Sequence, residues 1–137
     1  MARNIIAIIV GIAAAGVAVY FVESINYSLF PLPQDLDANN MDEMKAYVEE
    51  LPVLAFAFVL LAHFFGPLVG GLTSAKIAAS HQMKVALFVG SFVLLMGLIN
   101  LVMIPHPIWF MVLDLFMYLP GAFLGYRLYE RYWPNVA

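Results

Sequence analysis

Cysteine is absent from the chain. Disulfide exchange, thiolate nucleophiles and thiolate metal sites are therefore excluded together. The same absence rules out the small four-helix membrane oxidoreductases that pass electrons from thiols to quinones. Charge is also scarce, at 11% of 137 residues, and only six residues are Lys or Arg. No basic patch of the kind nucleic acid requires is present, so no nucleic-acid partner is expected. There is no Gly-rich phosphate loop, no dinucleotide fingerprint, no HExxH helix and no nucleophile–base motif, so neither a cofactor nor a metal is implied.

What is abundant is hydrocarbon. Hydrophobic residues make up 64% of the chain, and mean hydropathy is +0.92. Water-soluble domains carry roughly 45–50% apolar residues. A chain this short buries too small a fraction of its surface to hide the excess from water. Lipid is therefore the expected solvent and the bilayer the first partner. A spanning helix needs about 20 mainly apolar residues, and four segments qualify, over about 4–22, 52–75, 84–104 and 107–127. The sequence thus predicts one all-α membrane domain, an antiparallel four-transmembrane-helix bundle. The first segment also has the outline of a signal peptide, with Arg3 at its start and Ala13, Ala14, Ala15 and Gly16 near a possible cleavage point. Its apolar stretch is longer than the usual 7–15 residues, so it is read as a retained span.

Flanking charge sets the expected orientation, because Lys and Arg in short flanks stay cytoplasmic. Arg3 precedes the first span, Lys76 and Lys84 lie between the second and third, and Arg127 and Arg131 follow the fourth. The loop over 23–51 holds Asp35, Asp37, Asp42, Glu43, Glu49 and Glu50 against Lys45 alone. Both termini are expected in the cytoplasm, in a bacterial inner membrane. Within the loop, Pro31 and Pro33 impose an extended run. Asn40 then has the look of an N-cap with Glu43 three residues on. Met41, Met44, Tyr47, Val48 and Leu51 share one helical face, which predicts a short outer amphipathic helix.

Small residues mark the expected helix contacts: Gly11 with Ala7 and Ala15 in the first span, Gly66 and Gly70 in the second, Gly121 and Gly125 in the fourth. In lipid, close backbone approach takes over from the hydrophobic effect in holding helices together. Pro67 and Pro120 are expected to kink their helices.

Ionisable groups at membrane depth are costly and therefore informative. His63 lies eleven residues beyond Pro52, about 16 Å deep at a rise of about 1.5 Å per residue. Asp114 lies in the outer half of the fourth span, and Asn100 near the outer end of the third. Glu23 and Asn26, at i and i+3, share a face at the outer end of the first. His106 and Trp109 sit at the outer boundary. The sequence therefore predicts an outward-facing polar pocket built from Glu23, Asn26, His63, Asn100, His106, Trp109 and Asp114. These side chains can equally serve as hydrogen-bonding links between helices, and His106 between two prolines as a rigid turn.

The run PLPQDLD after Glu23, the segment GPLVGGLTSAKIA and the turn IPHPIWF together resemble a group of small four-span bacterial inner-membrane proteins. The resemblance covers nearly the whole chain. It implies the fold and the location, and it transfers no activity and no site residue. The chain lacks the mid-span Glu of the small multidrug exporters and the pattern of the four-helix fluoride channels. Three functional classes stay open. The leading expectation is a non-enzymatic accessory or subunit of a membrane assembly. The others are a small oligomeric transporter or channel using His63 and Asp114, and a lipid-binding protein or enzyme using the outer pocket. A homo-oligomer or a larger membrane complex is the expected protein partner.

Overall fold

The structure, a computed structural model, describes residues 1–37 and 39–133. The described residues form six helices: α1 (Ala2–Leu29), α2 (Met41–Glu50), α3 (Val53–Ile77), α4 (Gln82–Met103), α5 (Ile108–Leu115) and α6 (Tyr118–Tyr132). Four rods, α1, α3, α4 and α5 followed by α6, are each long and apolar enough to cross a bilayer. The chain is an all-α, multi-pass membrane protein with the architecture of a helical bundle.

α3 is the central rod, and glycines on two of its faces let its neighbours approach. A Cβ on Gly70 would lie 2.7 Å from the Gly11 carbonyl oxygen of α1, and one on Gly66 3.2 Å from that of Ala15. On the other face, a Cβ on Gly71 would meet the backbone of Ala122 in α6. The two α6 glycines answer in kind: Gly121 packs on the carbonyl oxygen of Phe64 and Gly125 on that of Leu68. The buried residues of α1 are Ala7, Gly11 and Ala15, the stripe expected from their four-residue spacing. These helices fit by omission of side chains, as close packing in lipid requires.

The end of the bundle where α1 begins and α6 ends is tied by polar contacts. The Arg3 guanidinium Nε donates to the Ile77 carbonyl at 2.7 Å. A cation is thereby placed against the C-terminal end of α3, where unpaired carbonyls concentrate negative charge. The Asn4 amide donates to the Ser80 carbonyl at 3.0 Å and accepts from the Ala79 N–H at 2.9 Å. His81 takes a left-handed φ of 56° to turn the chain into α4. Lys76 lies 4.6 Å from the Trp133 ring, so the C-terminal end of α6 is held at the same place.

At the opposite end, α2 is capped as expected, with one change of partner. The Asn40 side-chain oxygen accepts from the N–H groups of Asp42 and Glu43. Glu43 reaches back to the Asn40 side-chain amide at 2.8 Å and to the Asp37 N–H at 3.0 Å, and not to the backbone of the cap residue itself. The apolar face of α2 seats Val48, with Tyr47 and Leu51 beside it, on a cluster of Phe56, Leu101 and Phe110. α2 therefore plugs the α3–α4–α5 end of the bundle.

Two boundaries differ from those read in the sequence. α1 runs on through Leu29, seven residues beyond the expected end of the first span at residue 22. Ser24 and Ser28 return their hydroxyls to the carbonyls four residues back, at 2.7 and 2.8 Å, so polar side chains are absorbed by the helix they sit on. The fourth rod breaks at Phe116–Met117, ahead of Pro120. Pro120 has no N–H to give the Phe116 carbonyl four residues back, and its ring crowds that carbonyl. The chain tightens there, with Phe116 N–H bonding the Leu113 carbonyl and Met117 N–H that of Asp114.

Candidate functional site

Both prolines act at one level of the bundle. Pro67 leaves the carbonyl of His63, four residues earlier, without its helical partner, although α3 stays continuous. Pro120 opens the fourth rod between Asp114 and Tyr118. Each proline thus loosens its backbone where a polar side chain must turn inward.

Those side chains meet. Asp114 is fully buried. Its Oδ1 lies 2.6 Å from His63 Nδ1, and its Oδ2 accepts from the Tyr118 hydroxyl at 2.7 Å. The Tyr118 oxygen is also 2.8 Å from His63 Nδ1. Tyr118 spends its single proton on Asp114, so both neighbours of Nδ1 are acceptors. Nδ1 therefore carries a proton that the two share. The two rings stack with centroids 5.1 Å apart. The Tyr118 hydroxyl fits because position 97 is glycine: a Cβ on Gly97 would occupy its place.

This network floors a cleft of about 450 Å³ between α1 and α4. α1 contributes Ile12, Gly16, Val19, Tyr20, Glu23, Ser24 and Tyr27, one face at helical spacing; α4 contributes Phe92, Val93, Met96, Gly97 and Asn100. His63 and Tyr118 close the bottom. Gly16, Tyr20, Phe92 and Met96 are all exposed, so the cleft is open along its side. A Cβ on Gly16 would meet nothing within 4 Å.

Of the seven polar residues the sequence grouped, Glu23, His63 and Asn100 line the cleft, and Asp114 backs His63 from behind. The other three lie elsewhere. Asn26 sits one turn along α1, and its buried Oδ1 has no hydrogen-bond partner. Trp109 packs edge-on against Phe56 at 5.5 Å. His106 donates from Nδ1 to the Ile104 carbonyl at 2.7 Å and stacks on Phe110 at 5.0 Å. Both rings thus border the apolar cluster beneath α2, through Phe56 and Phe110. Conversely, Tyr20, Tyr27, Tyr118 and Gly97 line the cleft and were not grouped with the site. The tyrosines of α1 read as membrane-interface residues. Tyr118 carried one usable signal, its i+4 spacing from Asp114.

Burial pushes the His106 imidazole below its ordinary 6.5, against weaker upward pulls from the Ile104 carbonyl and Asp114. The unfolded chain then binds this proton more readily than the folded one, so the contribution is full above about pH 6.5 and declines as pH falls below it. Thermal unfolding in detergent is expected to show the wild-type melting temperature falling more steeply than that of His106→Gln between about pH 7.5 and 5.5. Parallel curves for the two proteins would contradict this assignment.

Among the described residues, no group of three or more His, Asp or Glu is placed to hold a metal ion. The site offers a different chemistry: a fixed imidazole, a half-buried carboxylate and several phenol rings on otherwise apolar walls. Fold and cleft together define a small polytopic membrane protein with a laterally open polar-floored cleft. No protein-family model, curated protein or solved structure matches the chain.

Proposed function

We propose that this protein binds one bilayer-dissolved amphiphile in the cleft between α1 and α4, with its polar end on the His63–Asp114–Tyr118 floor. The observation that carries this reading is the cleft itself: about 450 Å³, apolar along its walls, polar at one end and open on its side. Ligand sites run from roughly 300 to 1,000 Å³ with a few fixed polar groups in apolar surroundings. The accessory-subunit expectation rested on the small soluble mass and on the small-residue faces. Gly11, Gly66, Gly70, Gly121 and Gly125 all pack inside the chain, so those faces are not free to recruit a second protein. In the proposed setting the α2 end faces outward from a bacterial inner membrane and both termini lie in the cytoplasm. The basic flanks and the resemblance to small four-span bacterial proteins support that setting.

Gly16→Phe tests the reading, because it fills the cleft from a position with free space and touches neither the floor nor the helix contacts. Native mass spectrometry of protein extracted from membranes in mild detergent is expected to find a bound amphiphile on the wild type. The variant should carry at least about tenfold less, the equivalent of 1.4 kcal/mol of affinity, with an unchanged unfolding transition. Equal occupancy in the two proteins would remove the cleft as the binding place.

A further inference from the structure

We infer that the amphiphile's head is an organic cation, an ammonium or phosphonium ion, with Glu23 as its counter-charge; this rests on the cleft reading above. The Glu23 carboxylate lies on the cleft wall, and no Lys, Arg or His is within ion-pairing distance of it among the described residues. A carboxylate held against apolar surface at membrane depth is costly unless a positive or donor-rich group meets it.

Among the described residues, no side chain hydrogen-bonds or ion-pairs with the Glu23 carboxylate. Neither Lys nor Arg lines the cleft. Arg3, Lys76, Lys84, Arg127 and Arg131 sit at or near the terminal end of the helices, and Lys45 faces Glu49 at 3.9 Å on α2. The remaining polar groups of the cleft also suit a cation. Tyr20, Tyr27 and Phe92 supply ring faces, which attract organic cations through their quadrupoles. The approach is matched to the same charge. α1 leads from Tyr27 into the connecting loop, where six carboxylates stand against one ammonium. Such a surface raises the local concentration of cations at the mouth.

An inorganic divalent ion fits poorly. It asks for six or more oxygen ligands at close range, and the cleft offers one carboxylate among phenols and hydrocarbon. A bulky cation with apolar substituents uses the whole volume, the rings and the charge together.

The test compares two ions of the same shape and opposite charge, tetraphenylphosphonium and tetraphenylborate, each dialysed separately against the purified full chain in a nonionic detergent, with empty micelles as blank. Wild type is expected to bind the phosphonium at least about tenfold more tightly than the borate, and Glu23→Gln to lose about tenfold of the phosphonium affinity alone. Gly16→Phe should abolish phosphonium binding. If both ions bind wild type equally and both are lost in Gly16→Phe, the cationic head is overturned and the cleft stands. If only the borate binds and Gly16→Phe removes it, the cationic head again falls alone; if neither ion binds, or binding survives Gly16→Phe undiminished, the cleft reading falls as well. The wild-type comparison decides the charge question even if Glu23→Gln fails to fold.

Discussion

Asp114→Ala is expected to lower the unfolding free energy of the bundle by about 2–4 kcal/mol, the largest loss from any single polar side chain. Asp114 is the sole acceptor partner of the Tyr118 hydroxyl proton and the nearer partner of His63 Nδ1, at 2.7 and 2.6 Å. Interhelical hydrogen bonds in membranes average about 0.6 kcal/mol and reach about 1.7. Two short bonds to one carboxylate belong toward the upper figure. Truncation also strands the Tyr118 hydroxyl proton, while His63 Nδ1–H keeps the Tyr118 oxygen at 2.8 Å; a buried unsatisfied group costs about 1–3 kcal/mol. The unfolded helix in a membrane finds other partners for its polar groups, and this holds the total well below the sum of those ranges. Asp114→Asn keeps an acceptor oxygen and should lose less than Asp114→Ala. A double-mutant cycle with Tyr118→Phe, read by steric trapping or denaturing-detergent titration, should return a coupling above about 0.5 kcal/mol. Additive losses would show that the three groups do not act as a unit.

The reason this network was only half legible in the sequence is geometric. Long apolar runs disclose the spans because a backbone in hydrocarbon must satisfy its own hydrogen bonds as helix. Counting residues along a span then gives depth, and depth singled out His63 and Asp114. It gives no azimuth. His106, Trp109 and Glu23 all belong to the α2 end of the bundle, yet the first two pack their rings on Phe110 and Phe56 at the rim of the apolar cluster, while Glu23 lines the cleft. Asn26 was grouped with Glu23 by its i, i+3 spacing, but it falls past the Val19 edge of the α1 face that lines the cleft, which Ser24 and Tyr27 continue on the other side. Tyr118, in the middle of the fourth span, was passed over because a phenol is uncharged near neutral pH and only its i+4 spacing from Asp114 pointed to it. Its inward turn depends on two features that lie far off in the sequence, the helix break set by Pro120 and the missing side chain at Gly97. The α1 helix outlasts the span read for it because Ser24 and Ser28 bond back to their own helix, so a helix need not stop where its apolar run does.

The glycines of α6 should be the least replaceable positions in the chain. At Gly125 a Cβ would collide with the Leu68 carbonyl oxygen and come within 2.7 Å of the Leu72 nitrogen. Both are backbone atoms of α3, which cannot rotate aside as a side chain would. Gly125→Ala must push the two rods apart, at about 1–3 kcal/mol for overpacking. Gly125→Val adds a branched side chain to the same contact and should cost more than about 4 kcal/mol, beyond the common range for point substitutions. Gly16→Ala is the matched control: its new methyl meets nothing within 4 Å, so stability should stay within about 0.5 kcal/mol of wild type. Folded yield from membranes and denaturing-detergent midpoints measure all three. The substitution should also reach the site, because α6 carries Tyr118, and separating α6 from α3 draws its hydroxyl away from His63. Gly125→Ala is therefore expected to lose the bound amphiphile while its helical content persists. A Gly125→Val protein as stable as wild type would mean that α3 and α6 do not meet at these glycines. The position of Tyr118 above His63, and with it the floor of the cleft, would then lose its basis.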